Sequence, residues 1–426
     1  MGNDQVATSN HQGDETIRKN LNRASLIELF FDLVFIFCLR QLIPLIADSQ
    51  DIVVSWYTFY TFCFTIVLLL QIWFTVTQFM NCFGTGGPLD VLYLITNVFL
   101  LIIMSQAASV TWELYLVYNT CWMLILLNGC VHWVVRYKLA RTTDPQRAHI
   151  VKRTVAIMGA QIIVIFISNF FSSVPGQVMC FIALALGFFS WSGRDGRHMN
   201  IDRYSHLAER GSLLVVMTFG ETLIAAGTYT GAQNHIVSGL LHVLIILVMF
   251  LIYVIELDRA LDVTKLGSGL GFMAITTWQT FVAANYTAAF ELMAEGKSLW
   301  IMDGSLYFSL SLAVFLLSFF FYLPFNRKGR KPGKRWIAAR AVVCLACLAA
   351  SQVFVATTSS MLGSIGILPA DFVATHNFAP FASTGTGLIL VLIVLVLDWR
   401  NYGEPPRHLV TKLYGNHNSD DDGSQA

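Results

Sequence analysis

Long apolar runs alternate with short polar stretches along almost the whole chain. The runs at residues 26–47, 53–79, 89–109, 112–135, 151–171, 177–192, 206–229, 236–257, 269–293, 301–323, 336–358 and 379–398 each approach or exceed the reach of a hydrocarbon core. A bilayer-spanning helix needs about 20 mostly apolar residues. Only helices satisfy their own backbone hydrogen bonds in lipid at this length. The pattern therefore predicts an all-α, polytopic membrane protein of about twelve transmembrane helices. The run at 177–192 is the shortest, and its start is open to extension before Pro175.

Lysine and arginine placement gives the expected orientation. Basic residues cluster before the first run (Arg18, Lys19, Arg23), after the fourth (Arg136, Lys138, Arg141, Arg147), after the sixth (Arg194, Arg197, Arg203) and after the tenth (Arg327, Lys328, Arg330, Lys331). With twelve spans, all these segments fall on one side, and the positive-inside rule makes that side cytoplasmic. Of 27 Lys and Arg, all but Lys297 and Arg40 lie in or at the edge of segments expected to be cytoplasmic, the tail included. Both termini are thus expected in the cytoplasm, with the protein in the plasma membrane. Residues 1–25 form an N-terminal segment without a cleavable leader pattern. Residues 26–192 and 206–398 form two six-helix halves, and residues 399–426 a polar tail expected to be disordered.

The halves resemble each other at an offset of 181 residues. That shift carries Glu28 onto Glu209, Arg40 onto Glu221, and the basic loop after the fourth run onto that after the tenth. Both halves start on the same side, which predicts a parallel 6+6 pseudo-repeat.

Composition agrees with the pattern: 55% of residues are hydrophobic and 12% charged. Soluble domains carry roughly 25% charged residues. A formal net charge of +1 gives no nucleic-acid footprint. Eight cysteines, nearly all inside apolar runs, do not form a disulfide framework. The Cys344–Cys347 pair lies in an apolar run without a second pair. No metal site, catalytic motif or cofactor is expected, and the turn at Gly84–Pro88 follows no strand, so it is no phosphate cradle.

Charges inside spans need a reason, because each costs about 2.5–3.5 kcal/mol on insertion scales. Glu28 and Asp32 are four apart on one face of the first span. Glu28 also suits the positive end of a helix dipole. Arg40 and Glu221 occupy matching repeat positions with opposite sign, so they are expected to pair across the pseudo-twofold axis. Arg210, with His206 one turn away, is placed to close an ion-pair ring with Glu28, Asp32 or Glu209. His132 and His242 are expected to be packed rather than to relay protons.

Two segments carry a family resemblance. Ser25-Leu26-Ile27-Glu28-Leu29-Phe30-Phe31-Asp32 resembles the opening helix of the bacterial low temperature requirement A family. His206-Leu207-Ala208-Glu209-Arg210, followed by Phe219-Gly220-Glu221-Thr222, resembles that family's mid-chain motif. Arg40 departs from the small polar residue expected there, and the fourth span lacks an expected arginine. The resemblance implies an integral membrane protein tied to growth in the cold; it does not point to a known substrate.

A secondary transporter or permease is the expected function. Its partners would be the bilayer and a small-molecule or ion substrate, with Glu28, Asp32, Arg40, Glu209, Arg210 and Glu221 on the substrate or proton pathway. A membrane-embedded enzyme acting on lipid or polyprenyl substrates, and a non-transporting sensor or scaffold, are the alternatives.

Overall fold

The computed structural model describes residues 25–47, 51–139, 145–171, 173–189, 204–232, 236–261, 270–326, 333–364 and 379–402. The N-terminal segment, the polar tail beyond residue 402 and the basic clusters at Arg194–Arg203 and Arg327–Lys331 lie outside them. Among the described residues are twelve helices of 15 or more residues. They are α1 Leu26–Arg40, α2 Trp56–Phe83, α3 Pro88–Ala107, α4 Tyr115–Leu139, α5 Pro145–Ser168, α6 Ser173–Phe189, α7 Tyr204–Ala232, α8 Ile236–Ile255, α9 Leu270–Ala294, α10 Gly304–Ser318, α11 Lys334–Ser364 and α12 Ala379–Tyr402. Among the described residues, eight helices are long and apolar enough to cross a membrane by length and composition. Helix α6 is apolar but has only 17 residues. In α9 the polar side chains of Thr276, Gln279, Thr280 and Thr287 are turned inward and buried.

Local chemistry sets several helix ends. Ser25 caps α1, its hydroxyl accepting from the Glu28 amide at 3.4 Å, and Glu28 stands at the matching position of a capping box. Helix α1 stops at Arg40 because Pro44 lies four residues on. Proline has no N–H for the Arg40 carbonyl, and its ring crowds that carbonyl. The chain makes tight turns instead: the Arg40 carbonyl accepts from the Ile43 amide at 3.1 Å. One further helical turn, Pro44–Ala47, completes the run.

Helices α1–α6 and α7–α12 share a matching set of contacts. In the first, α1 packs on α2 and α3, α3 on α4, α4 on α5, α5 on α6, and α2 on α6. In the second, α7 packs on α8 and α9, α9 on α10, α10 on α11, α11 on α12, and α8 on α12. Contacts of α1 with α7, and of α2 with α7 and α9, join the halves.

Two ends of the bundle are defined by contacts between distant loops. At the near end, where α1 and α7 begin, Leu261 bridges to Asn326, and Arg136 of α4 reaches Asp90 of α3 at 2.5 Å. At the far end is a three-stranded sheet of β1 (Val53–Val54), β2 (Ser298–Leu299) and β3 (Met302–Asp303). β1 pairs parallel with β2, in the register Val54 to Leu299, and β2 pairs antiparallel with β3. The second and tenth apolar runs, expected to be helical from residues 53 and 301, therefore begin as strands. Two-residue strands carry no periodicity that separates them from a helix start. Lys297 adds a bond from its ammonium to the Ala47 carbonyl at 2.5 Å.

Candidate functional site

The buried faces of α1 and α7 meet at the near end. On α1 that face comprises Glu28, Phe31, Asp32, Phe35, Ile36 and Leu39, a helical spacing that brings both carboxylates inward. On α7, His206 and Arg210 are one turn apart on the face opposite. Asp32 and Arg210 are wholly buried, and Glu28 and His206 nearly so.

Arg210 sits between the two acids. Its Nε donates to Asp32 Oδ2 at 3.2 Å, and its Nη2 donates to Asp32 Oδ1, making a two-point contact. Its Nη1 is 3.7 Å from Glu28 Oε2, and His206 Nε2 lies 2.9 Å from the same oxygen. Trp73 of α2 completes the group: its indole N–H donates to Asp32 Oδ1 at 2.8 Å, and the Arg210 guanidinium lies 5.9 Å from the ring centroid. Three helices from both halves thus converge on one carboxylate. Separating Asp32 from Arg210 would strand two charges in low dielectric, so the pair ties the halves together unless one charge is neutralised.

Glu209 is not part of this ring. It is half-buried, and among the described residues the ring is closed by Glu28 and Asp32.

Arg40 and Glu221 pair, with Arg40 Nη1 3.1 Å from Glu221 Oε2. The side chains remain 34% and 20% exposed. This pair continues the outward face of α1, where Phe30, Leu33 and Phe37 are exposed, and so is separate from the inward Asp32–Arg210 pair. His132 and His242 pack among aromatic rings: His132 beside Tyr93, and His242 stacked on Phe290 at 3.4 Å with its Nδ1 2.9 Å from the Tyr286 hydroxyl.

A second buried cluster went unforeseen. Arg340 of α11 contacts Glu256, just past the end of α8, at 2.5 Å and Asp398 of α12 at 3.2 Å. The Arg340 guanidinium also lies 5.0 Å from the Phe319 ring and 5.2 Å from Trp336. All three charged residues stand within a few positions of a run's end, which made them look like interface charges. The signal that could have found them is their sign: acids closing two runs and an arginine opening a third at the same end. In the first half the same three positions, α2, α5 and α6, are joined by neutral groups. Gln71 donates to the Leu184 carbonyl at 2.7 Å, and Gln161 donates to the Gln71 side-chain oxygen at 3.2 Å.

Among the described residues, eight apolar helices of bilayer length define a polytopic helical membrane protein. The family model for bacterial low temperature requirement A protein (LtrA) matches residues 23–374, most of the chain, and the chain belongs to that family. No curated protein and no solved structure matches it.

Proposed function

We propose that the chain is a secondary transporter of the plasma membrane. It has twelve spans in a parallel 6+6 pseudo-repeat and both termini in the cytoplasm. The observation that carries this reading is the Arg210–Asp32 pair, wholly buried and shared between α1 and α7. Transporters built from repeats place their sites where the repeats meet and move one repeat against the other. Here the contact to be broken is ionic, so a proton can operate it. Protonation of Asp32 removes the charge that anchors the Arg210 guanidinium, so the contact between α1 and α7 is weakened to the links that Glu28 makes to Arg210 and His206. The matching contact order of the two halves supports the repeat. So does the pairing of Arg40 with Glu221 at a separation of 181 residues, the same offset that aligns the halves.

The test is flux in proteoliposomes under an imposed proton gradient, across a broad panel of small metabolites and amphiphiles. Asp32→Asn and Arg210→Gln are expected to abolish gradient-driven uptake, whereas Glu209→Gln retains it. A panel without any uptake sensitive to Asp32→Asn sinks the proposal.

A further inference from the structure

The pairing of Arg40 with Glu221 neutralises both charges but leaves unexplained why the pair is only partly buried. Arg40 is 14 residues from Leu26, about 21 Å along α1 at 1.5 Å per residue, so the pair lies within a hydrocarbon layer of about 30 Å. It lies at the outer edge of the α1–α7 contact. Leu33 and Phe37, two turns and one turn before Arg40 on the same face, are 57% and 45% exposed. Ile224, one turn after Glu221 on α7, is 51% exposed. Exposed apolar side chains of α1 and α7 thus flank the ion pair along the groove between the two helices.

Beside that pair the backbone is broken. Pro44 ends α1 at Arg40, and residues 41–43 are turns rather than helix. Irregular backbone at membrane depth is tolerated where it is covered by protein or lines a cavity, and broken helices are the usual walls of transporter sites.

We infer that this groove binds a zwitterionic amphiphile, a lipid whose headgroup carries an anionic group beside an ammonium. The charges select that class. An anion alone would take Arg40 and leave Glu221 unpaired in hydrocarbon, and a cation alone would do the reverse. A zwitterion exchanges both partners at once: its anionic group accepts from the Arg40 guanidinium, its ammonium donates to Glu221, and the site stays neutral. The apolar flanks select an amphiphile over a soluble zwitterion, because Leu33, Phe37 and Ile224 offer acyl chains a surface and offer water none. As a substrate class this rests on the transporter reading. As a binding site it does not, since a chain that binds such a lipid and moves nothing refutes transport alone.

The test is native mass spectrometry of the purified full chain with three probes: phosphatidylethanolamine, phosphatidylglycerol, which lacks the ammonium, and glycerophosphoethanolamine, which lacks the acyl chains. The wild type is expected to prefer phosphatidylethanolamine. Arg40→Gln and Glu221→Gln each weaken it about tenfold, the loss of one charge-assisted contact, and Glu221→Gln also erases the preference over phosphatidylglycerol. Ile224→Trp, which leaves both charges and fills the groove, weakens both lipids and serves should a charge variant fail to fold. Equal binding of phosphatidylethanolamine to all variants would mean ordinary boundary lipid and overturns the site. Glycerophosphoethanolamine binding as tightly as the lipid overturns the amphiphile assignment.

Discussion

Arg210 has one guanidinium to divide between two carboxylates, and Trp73 holds the deeper of them in place. Its removal leaves Glu28 and Asp32 buried together without their cation. Arg210→Met is therefore expected to destabilise the chain by about 3–5 kcal/mol, the usual result of orphaning a buried charge. Thermal unfolding in detergent would measure it. Adding Asp32→Asn to Arg210→Met should recover part of the loss, because it removes the orphan. A double variant no more stable than the single would show that the arginine acts by packing alone. The partnership of Glu28 and Asp32 with Arg210 was legible because costly charges stood four apart on one span and beside a histidine on another. Trp73 was not, being one ring among many in an aromatic-rich run, with nothing local to mark it as a donor. Arg340, Glu256 and Asp398 were hidden by their positions near run ends, where charge is ordinary.

Helices were legible as apolar runs because the bilayer imposes a length that few other structures need. Their ends were less so. The expected start of the eleventh helix differs from Lys334 by two residues, whereas the second begins at Trp56, after a strand that hydrophobicity alone cannot separate from it. Helix α6, the least secure in the sequence, is held by a specific fit. A Cβ built at Gly187 would overlap the side-chain amide of Gln71, the group that bonds the Leu184 carbonyl and accepts from Gln161. Gly187→Ala should force that amide aside and cost about 1–3 kcal/mol, the penalty for leaving a buried polar group unsatisfied. A melting temperature equal to wild type would show that α6 slides to accommodate the methyl group.

At the scale of the whole molecule, the halves are joined differently at the two ends. The near-end contact is ionic and buried. At the far end the Ser298 amide donates to the Ile52 carbonyl at 2.9 Å, and the Trp300 amide donates to the Val54 carbonyl at 3.1 Å. Opening the far-end sheet therefore breaks backbone bonds and the Lys297–Ala47 contact. Val54→Cys with Leu299→Cys, in a background without the native cysteines, should cross-link on oxidation, since these residues are register partners. Cleavage at a protease site inserted between α6 and α7 would read it out, the two fragments staying joined until reduced. Fragments that separate before reduction contradict the far-end arrangement. On the transporter reading, the cross-link also stops flux, and reductant restores it.

The contact between Asp32 and Arg210 has a consequence for biosynthesis. The two residues are 178 positions apart. At about 5–20 residues per second, the ribosome delivers Arg210 roughly 10–35 s after Asp32. Throughout that interval the first helix carries two acids whose cation does not yet exist. Insertion of the first half therefore depends on the translocon, or on a proton borrowed from solvent, to keep those acids from pulling α1 back out. The nascent chain becomes self-sufficient only when the seventh helix arrives.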